Sequence, residues 1–395
     1  KIFWINDFVL VYSRPAAFDI KDIHQIFKEA FKAIWLGHAE NDSFNKLVLS
    51  GSLSWREISL FRAYAKYLKQ IGFGLSQEYI AQTFVTYPNI ARLLFEMFEK
   101  RFHFENFVND LKELQIIDDL LTNKLEEVVA LDDDRIIQMY ANLIKATLRT
   151  NYYQANLDGT SKETLAFKFS PENIPQLPLP IPKYEIFIYS PRFEGVHLRM
   201  DSVARGGIRW SDRVEDYRTE DKGLMMAQNM KNAGIVPAGA KGCFITKKLP
   251  VDGGREAIFE EGHRCYKKFV AGMLDVVDNL HGEEVIHPSN TVCYDAQDTY
   301  LVVAADKGTA TFSDTANAIA IDRGYWLGDA FASGGQTGYD HKKMGITARG
   351  SWVSVENHFR ELGINLQYSD ITVVGIGDMS GDVFGNGMIM SPHIK

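Results

Sequence analysis

From Ser54 onward the apolar positions recur with a helical period. Ile58, Phe61, Ala65 and Leu68 fall on one face, Ser54 and Glu57 stand ahead of them at capping-box spacing, and Gly72 and Gly74 close the element. Ser76 opens a second helix, and further helices are predicted near Asn89, Phe104 and Asp133. The last of these carries Ile136, Ile137, Tyr140, Leu143, Ile144 and Leu148 on one side. The acidic run Asp132-Asp133-Asp134 precedes that side, where carboxylates complement the positive end of a helix; a cation site is the alternative reading. Nothing in this half points to catalysis.

The pattern then changes. Pro171, Pro175, Pro178, Pro180 and Pro182 crowd the segment 169–183, which reads as a linker because proline removes donors and restricts its neighbours. Beyond it, Tyr184–Tyr189 is a continuous apolar run expected to be a buried strand. Val196, Leu198 and Met200 alternate with His197 and Arg199, as in a half-exposed strand. Helices are predicted over 220–231 and 256–280, and strands at 300–305 and at Ile371–Val374. Strands alternating with helices make the class α/β. The expected division is a helical region over 1–168, the linker 169–183, an α/β substrate-binding domain over 184–345, and the start of a Rossmann-type NAD-binding domain over 346–395.

Composition narrows the function. A chain of 395 residues suits two or three domains at roughly 150 residues each. A net charge of −8 and a pI near 5.7 exclude the basic surface that nucleic acid or an anionic membrane would require. No apolar run approaches the roughly 20 residues of a membrane span, and the first residues lack a secretory signal pattern. Cys243, Cys265 and Cys293 are widely spaced and odd in number, which favours a reducing compartment, and a cytoplasmic protein is expected.

The chemistry concentrates in four places. Lys241 follows an apolar segment inside a glycine-rich turn, where desolvation would depress its pKa and make it a usable general base; an exposed turn lysine is the plain alternative. The preceding glycines, Gly234 and Gly239, have phosphate-loop spacing, but Ala240 separates Gly239 from Lys241 and Gly242 stands where a magnesium-binding hydroxyl belongs. Arg205, beside Gly206 and Gly207, and Lys231 offer two cations for carboxylates; for Lys231 a helix C-terminal position is the alternative role. Asp306 follows Leu301–Ala305 at the end of a predicted strand, a place for proton transfer or for capping the next turn. Gly375, Gly377, Ser380 and Gly381 follow the last predicted strand with the spacing of a dinucleotide fingerprint, its third glycine displaced by one. His281 and His287 do not have the spacing of a zinc motif, and Pro288 beside them suggests a loop, so no metal is expected. Ser211 and Ser333 lack a nucleophile elbow.

Taken in order, VARGGIRWSDR, AQNMKNAGIVPAGAKG, YLVVAADKGTATFSD, GDAFASGG, GYDHKKMGITARGSW and VVGIGDMSGDVFGNGM resemble the large NAD-specific glutamate dehydrogenases of bacteria. The resemblance continues upstream through LSWREISLFRAYAKYLKQ, LIKATLRTNYYQ and YEIFIYSPRFEGVHLR. Family members are far longer, so the chain is expected to be an internal fragment, inactive by itself. The resemblance implies NAD as cofactor, L-glutamate and 2-oxoglutarate as substrate and product, and a homo-oligomer for the intact protein. It makes Lys241 the residue that helps water add to the imino intermediate, Asp306 the catalytic acid, and Lys231 the partner of the α-carboxylate. Arg205, Gly206, Gly207 and Thr347 join the substrate site, and Gly375, Gly377, Ser380 and Gly381 the cofactor site. Two departures stand out: Arg205 occupies a position that is lysine in smaller relatives, and Cys243 one that is commonly glycine. A dehydrogenase for an apolar amino acid and a non-catalytic assembly or regulatory module are the competing functions.

Overall fold

Ser54 caps its helix as its spacing predicts. Its hydroxyl accepts from the Glu57 N–H at 3.3 Å and the Glu57 carboxylate accepts from the Ser54 N–H at 2.5 Å. The computed structural model describes residues 20–105, 111–231, 238–309, 311–332, 344–375 and 382–395. Within them the first half is built from α1 (Ile20–Trp35), α2 (Leu47–Ser50), α3 (Trp55–Gln70), α4 (Gln77–Thr86), α5 (Pro88–Phe102), α6 (Leu111–Leu125) and α7 (Leu131–Ala146). Ser76 caps α4 by accepting from the Tyr79 N–H. Asp132, Asp133 and Asp134 lie in the first turn of α7, where Asp133 also accepts from the Thr83 hydroxyl at 2.7 Å.

The first half is not wholly helical. Thr147–Thr150 (β1) and Leu165–Phe169 (β2) form an antiparallel pair that the helical periodicity of this region conceals. They begin a seven-stranded sheet with β3 (Tyr184–Tyr189), β4 (Phe193–Arg199), β5 (Gly206–Trp210), β6 (Ala240–Thr246) and β9 (Val303–Ala305), in the order β1-β2-β3-β4-β6-β5-β9. Pairing is antiparallel from β1 to β6 and parallel from β6 through β5 to β9. The strands β7 (Asn279–His281) and β8 (Glu284–Ile286) make a separate hairpin where a loop was expected.

Both faces of the sheet are covered. On one, Phe167, Phe169, Phe187, Val196, Leu198 and Cys243 pack with α3 and α7 through Tyr64, Tyr67 and Tyr140. On the other, Ile186, Ile188, Ile208 and Phe244 meet α9 (Gly254–Leu274) through Tyr266, Phe269 and Met273, and α10 (Ser313–Asp322) through Ala316 and Ala320. This double cover corrects the half-exposed reading of β4, since His197 and Arg199 are both 1% exposed. Arg199 faces Asp298 there. The helix predicted to run to 280 stops at Leu274, and that predicted from 220 begins earlier, as α8 (Tyr217–Lys231).

The C-terminal segment holds α11 (Ile346–Glu361) and a π-helical turn at Asp382–Asn386. The strand predicted at Ile371–Val374 is reduced to a single bridge between Ile371 and Ile394. Its apolar residues have no sheet among the described residues to join, and Val374 is 84% exposed. No helix of the described residues is long and apolar enough to cross a membrane.

Candidate active site

Lys241 and Asp306 come together where the parallel strands β6, β5 and β9 lie side by side, the lysine at the start of β6 and the aspartate just past the end of β9. Lys241 is the second residue of β6, Asp306 follows β9 directly, and the lysine Nζ donates to Asp306 Oδ2. Lys241 is 8% exposed, so this is a largely buried ion pair. Burial pushes the Asp306 pKa up, but the hydrogen bond and charge of Lys241, with Arg209 behind them, hold it below the usual carboxylate value.

Backbone geometry fixes both ends of the pair. Gly206 crosses β6 so closely that a Cβ there would lie 1.6 Å from the Ala240 carbonyl oxygen. Gly239 approaches α8 with equal economy: a Cβ would meet the Asn229 nitrogen at 2.7 Å, and its N–H donates to Asn229 Oδ1 at 2.9 Å. On the other side the Asp306 N–H donates to Thr309 Oγ1 at 3.1 Å, and that hydroxyl donates to the Ile208 carbonyl at 2.7 Å. The turn after β9 is therefore pinned to β5, and the aspartate's carboxylate is left to the cations.

Sequence reasoning missed the residues around this pair. Arg209 reaches Asp306 Oδ2 through Nε at 3.4 Å and Glu220 Oε1 through Nη1 at 2.8 Å. Ser211 donates to Glu220 Oε2 at 2.6 Å. The signal was available for Arg209, which shares a strand face with Gly207 by the two-residue period. Glu220 and its neighbour Asp221, fully buried and without a hydrogen-bond partner, sit on α8 in positions that helical periodicity alone does not link to the turn.

The other predicted residues are dispersed. Arg205 is exposed at the entry to β5, its backbone bridged to Gly239, its N–H donating to Ala238 and its carbonyl accepting from Ala240. Gly206 and Gly207 are buried in β5. Lys231 closes α8, and its side chain lies outside the described residues. Thr347 is exposed in the first turn of α11. Gly375 is described and exposed; Gly377, Ser380 and Gly381 lie outside the described residues, as does Ser333. With Ile371–Val373 bonded only to His393–Lys395 rather than to a sheet, the described residues do not by themselves form a dinucleotide cradle.

Among the described residues, one cluster has ligand-like geometry for a metal. Asp278, His287 and Cys293 place their ligand atoms within 4.8 Å of one another. Asp278, however, already accepts two hydrogen bonds from Arg149, at 2.6 and 3.1 Å, one from the Asp298 N–H, and a contact from His287 Nδ1 at 2.7 Å. Burial also pushes the Cys293 thiol up to about 11, which disfavours the thiolate a metal would need. All three cysteines are free.

The sequence family described as bacterial NAD-glutamate dehydrogenase, catalytic domain, matches residues 120–395, and glutamate dehydrogenase helical motif 3 matches residues 39–104. The NAD-specific glutamate dehydrogenases of Pseudomonas aeruginosa, Halomonas elongata and Mycobacterium tuberculosis are 54%, 53% and 52% identical to this chain over 396, 393 and 378 residues. These alignments cover 100%, 100% and 93% of the chain, but the chain spans only 24%, 24% and 23% of those proteins. A hetero-hexameric glutamate dehydrogenase from Thermus thermophilus, solved with leucine bound, aligns with 52% of this chain and 43% of its own at a TM-score of 0.31 and 16% identity, too loosely to relate individual residues.

Proposed function

The chain belongs to the bacterial NAD-glutamate dehydrogenase family, and on that premise we propose that its site serves the reversible oxidative deamination of L-glutamate to 2-oxoglutarate and ammonium. The observation that carries this reading is the Lys241–Asp306 pair, an amine and a carboxylate in contact across the parallel strands β6, β5 and β9. In the oxidative direction Asp306 takes a proton from the substrate ammonium, leaving Lys241 to guide water onto the iminium carbon; the resulting carbinolamine then loses ammonia. Arg209, held by Glu220, keeps the Asp306 carboxylate aimed while its lysine contact loosens. Arg205 and Lys231 grip the two carboxylates, with Gly206, Gly207 and Thr347 beside them.

Oxidation at Cα requires a hydride acceptor, which the relatives' names give as NAD, and Gly375, Gly377, Ser380 and Gly381 are the residues we assign to it. With that cofactor we retain the Rossmann-type start at 346–395, the boundary at 345, a cytoplasmic location and a homo-oligomer for the intact protein. A non-catalytic module is disfavoured by an ion pair that no packing requirement places at a strand end. NADH formation by the intact enzyme tests the reading: glutamate should exceed leucine and phenylalanine in kcat/KM, and the reverse order would replace it.

A further inference from the structure

The helix α8 lies antiparallel along β6. At one end the Cys243 thiol donates to the Tyr217 carbonyl at 3.3 Å, and at the other the Gly239 N–H donates to Asn229 at 2.9 Å. Lys241 is midway between Gly239 and Cys243 and shares a strand face with Cys243, so it faces the middle turns of α8. Asp221 is one helical turn beyond Tyr217, on the stretch that faces Lys241 and Cys243. It interacts electrostatically with both.

Asp221 is 0% exposed, and neither carboxyl oxygen has a hydrogen-bond partner. The charged groups facing it are otherwise engaged. Glu185 of β3 is held by Arg218 through two bonds of 2.7 Å, and Glu220 by Arg209 and Ser211. Lys241 is held by Asp306. A buried acid with no partner destabilises a fold, and a residue that breaks a packing rule is expected where function requires it.

We propose that Asp221 is a positioning residue for Lys241: from the α8 side its carboxyl carbonyl accepts a hydrogen bond from Nζ once Asp306 turns to the substrate amine, while its O–H faces the Cys243 sulfur. The inference rests on the role given to Lys241 above. Burial pushes the Asp221 pKa well up, with Lys241 opposing and Glu185 reinforcing the shift, which favours the protonated acid. A neutral carboxyl has both the acceptor and the donor this arrangement uses. Because the Cys243 S–H is given to Tyr217, the sulfur is left as a weak acceptor. The lysine thus exchanges one oxygen partner for another without leaving its place on β6.

The test compares Asp221→Leu, Asp221→Asn and Lys241→Ala in the full-length enzyme, with kcat, KM for glutamate and thermal midpoint as readouts. Asparagine reproduces the neutral acid's acceptor and donor; leucine reproduces only its bulk. Asp221→Leu should lower kcat by about 10²-fold, the cost of a misplaced catalytic group. Its KM should stay within about twofold and its midpoint should equal or exceed the parent's, because an unpaired buried polar group has been removed. Asp221→Asn should keep kcat within about threefold of the parent. The proposal is overturned if Asp221→Leu turns over like the parent, if Asp221→Asn is as slow as Asp221→Leu, or if kcat falls only together with the midpoint. Should Asp221→Leu fail to fold, Asp221→Asn decides alone: parent-like kcat supports the proposal and a loss beyond about tenfold overturns it. Lys241→Ala separates the two readings, since near-normal turnover there removes the function proposed for the site itself.

Discussion

Two clusters of buried charge flank the same sheet, and they differ in how fully their groups are paired. In the first, Arg149 of β1, Lys168 of β2 and Arg199 of β4 meet Asp278, Asp295 and Asp298. Each of these three carboxylates is shared between two or more partners: Asp295 joins Arg149 to Lys168, Asp298 joins Lys168 to Arg199, and Asp278 joins Arg149 to the Asp298 N–H and to His287. In the second, along β5, β6 and β9, Lys241 and Asp306 are paired but partly open, and the Asp221 oxygens have no hydrogen-bond partner. The same residue types therefore serve opposite ends: closed pairing locks three strands to the 275–298 segment, and incomplete pairing leaves groups available to a substrate.

The sharpest way to break this contrast is Asp298→Ala. It strands Arg199 in the interior, leaves Lys168 with Asp295 alone, and should cost about 3–5 kcal/mol of stability by urea unfolding. A loss below about 1 kcal/mol would mean that the first cluster is not a lock. The same cluster sets the acid limit of the fold. Burial raises the Asp298 pKa, but Arg199 and Lys168 pull it well below the ordinary value; Asp278 is lowered in the same sense, chiefly by Arg149 against its own burial. A depressed carboxyl contributes fully above its unfolded pKa of about 3.9 and loses that contribution as pH falls towards the folded value. The urea midpoint should accordingly hold steady between pH 7 and 5 and fall below about pH 4, with a shallower fall in Asp298→Asn.

In the open cluster the order of effects reverses. Lys241→Ala should lower kcat of the intact enzyme by about 10²-fold, or about 2.7 kcal/mol of barrier, while changing the unfolding midpoint little. A mutant with near-normal kcat would take Lys241 out of the mechanism. Lys231→Ala should weaken 2-oxoglutarate binding by roughly 1.5–3 kcal/mol in titration calorimetry; unchanged affinity would return that lysine to a helix-terminal role. The smallest effect lies outside both clusters. Ser54→Ala removes a helix cap and should cost about 1 kcal/mol of stability with kcat unchanged.

What the sequence disclosed follows the range of the forces involved. Local signals were legible: the Ser54 cap, the α7 face and the Tyr184–Tyr189 strand depend on neighbours within a few residues. Lys241 and Asp306 stood out individually by their glycines and strand end. Their contact, by contrast, depends on three strands lying side by side. Residues that need distant partners were hidden. β1 and β2 become strands only by joining a sheet whose other members come later in the chain, and Arg199 reads as an outward position until Asp298 arrives to cover it. Asp221 looks like any polar helix residue until β6 is laid against α8. The fingerprint at Gly375 is the opposite case: a strong local pattern whose predicted strand lacks the neighbours that would make it one among the described residues.

The strand order also sets a timetable. β6 lies between β4 and β5, so β5, though earlier in the chain, has no neighbour to dock on until β6 has paired with β4. β9 can then add only at the outer edge of β5, bringing Asp306 to Lys241 across 65 positions of chain. Contacts of such separation come after the loop between them has been closed, and so form late in folding. On a ribosome the chain will have completed its helical layer and six strands of its sheet before the first proton-transfer pair exists. Catalytic competence is the last property the sheet acquires, and a nascent chain halted before residue 306 is a well-started fold with no chemistry.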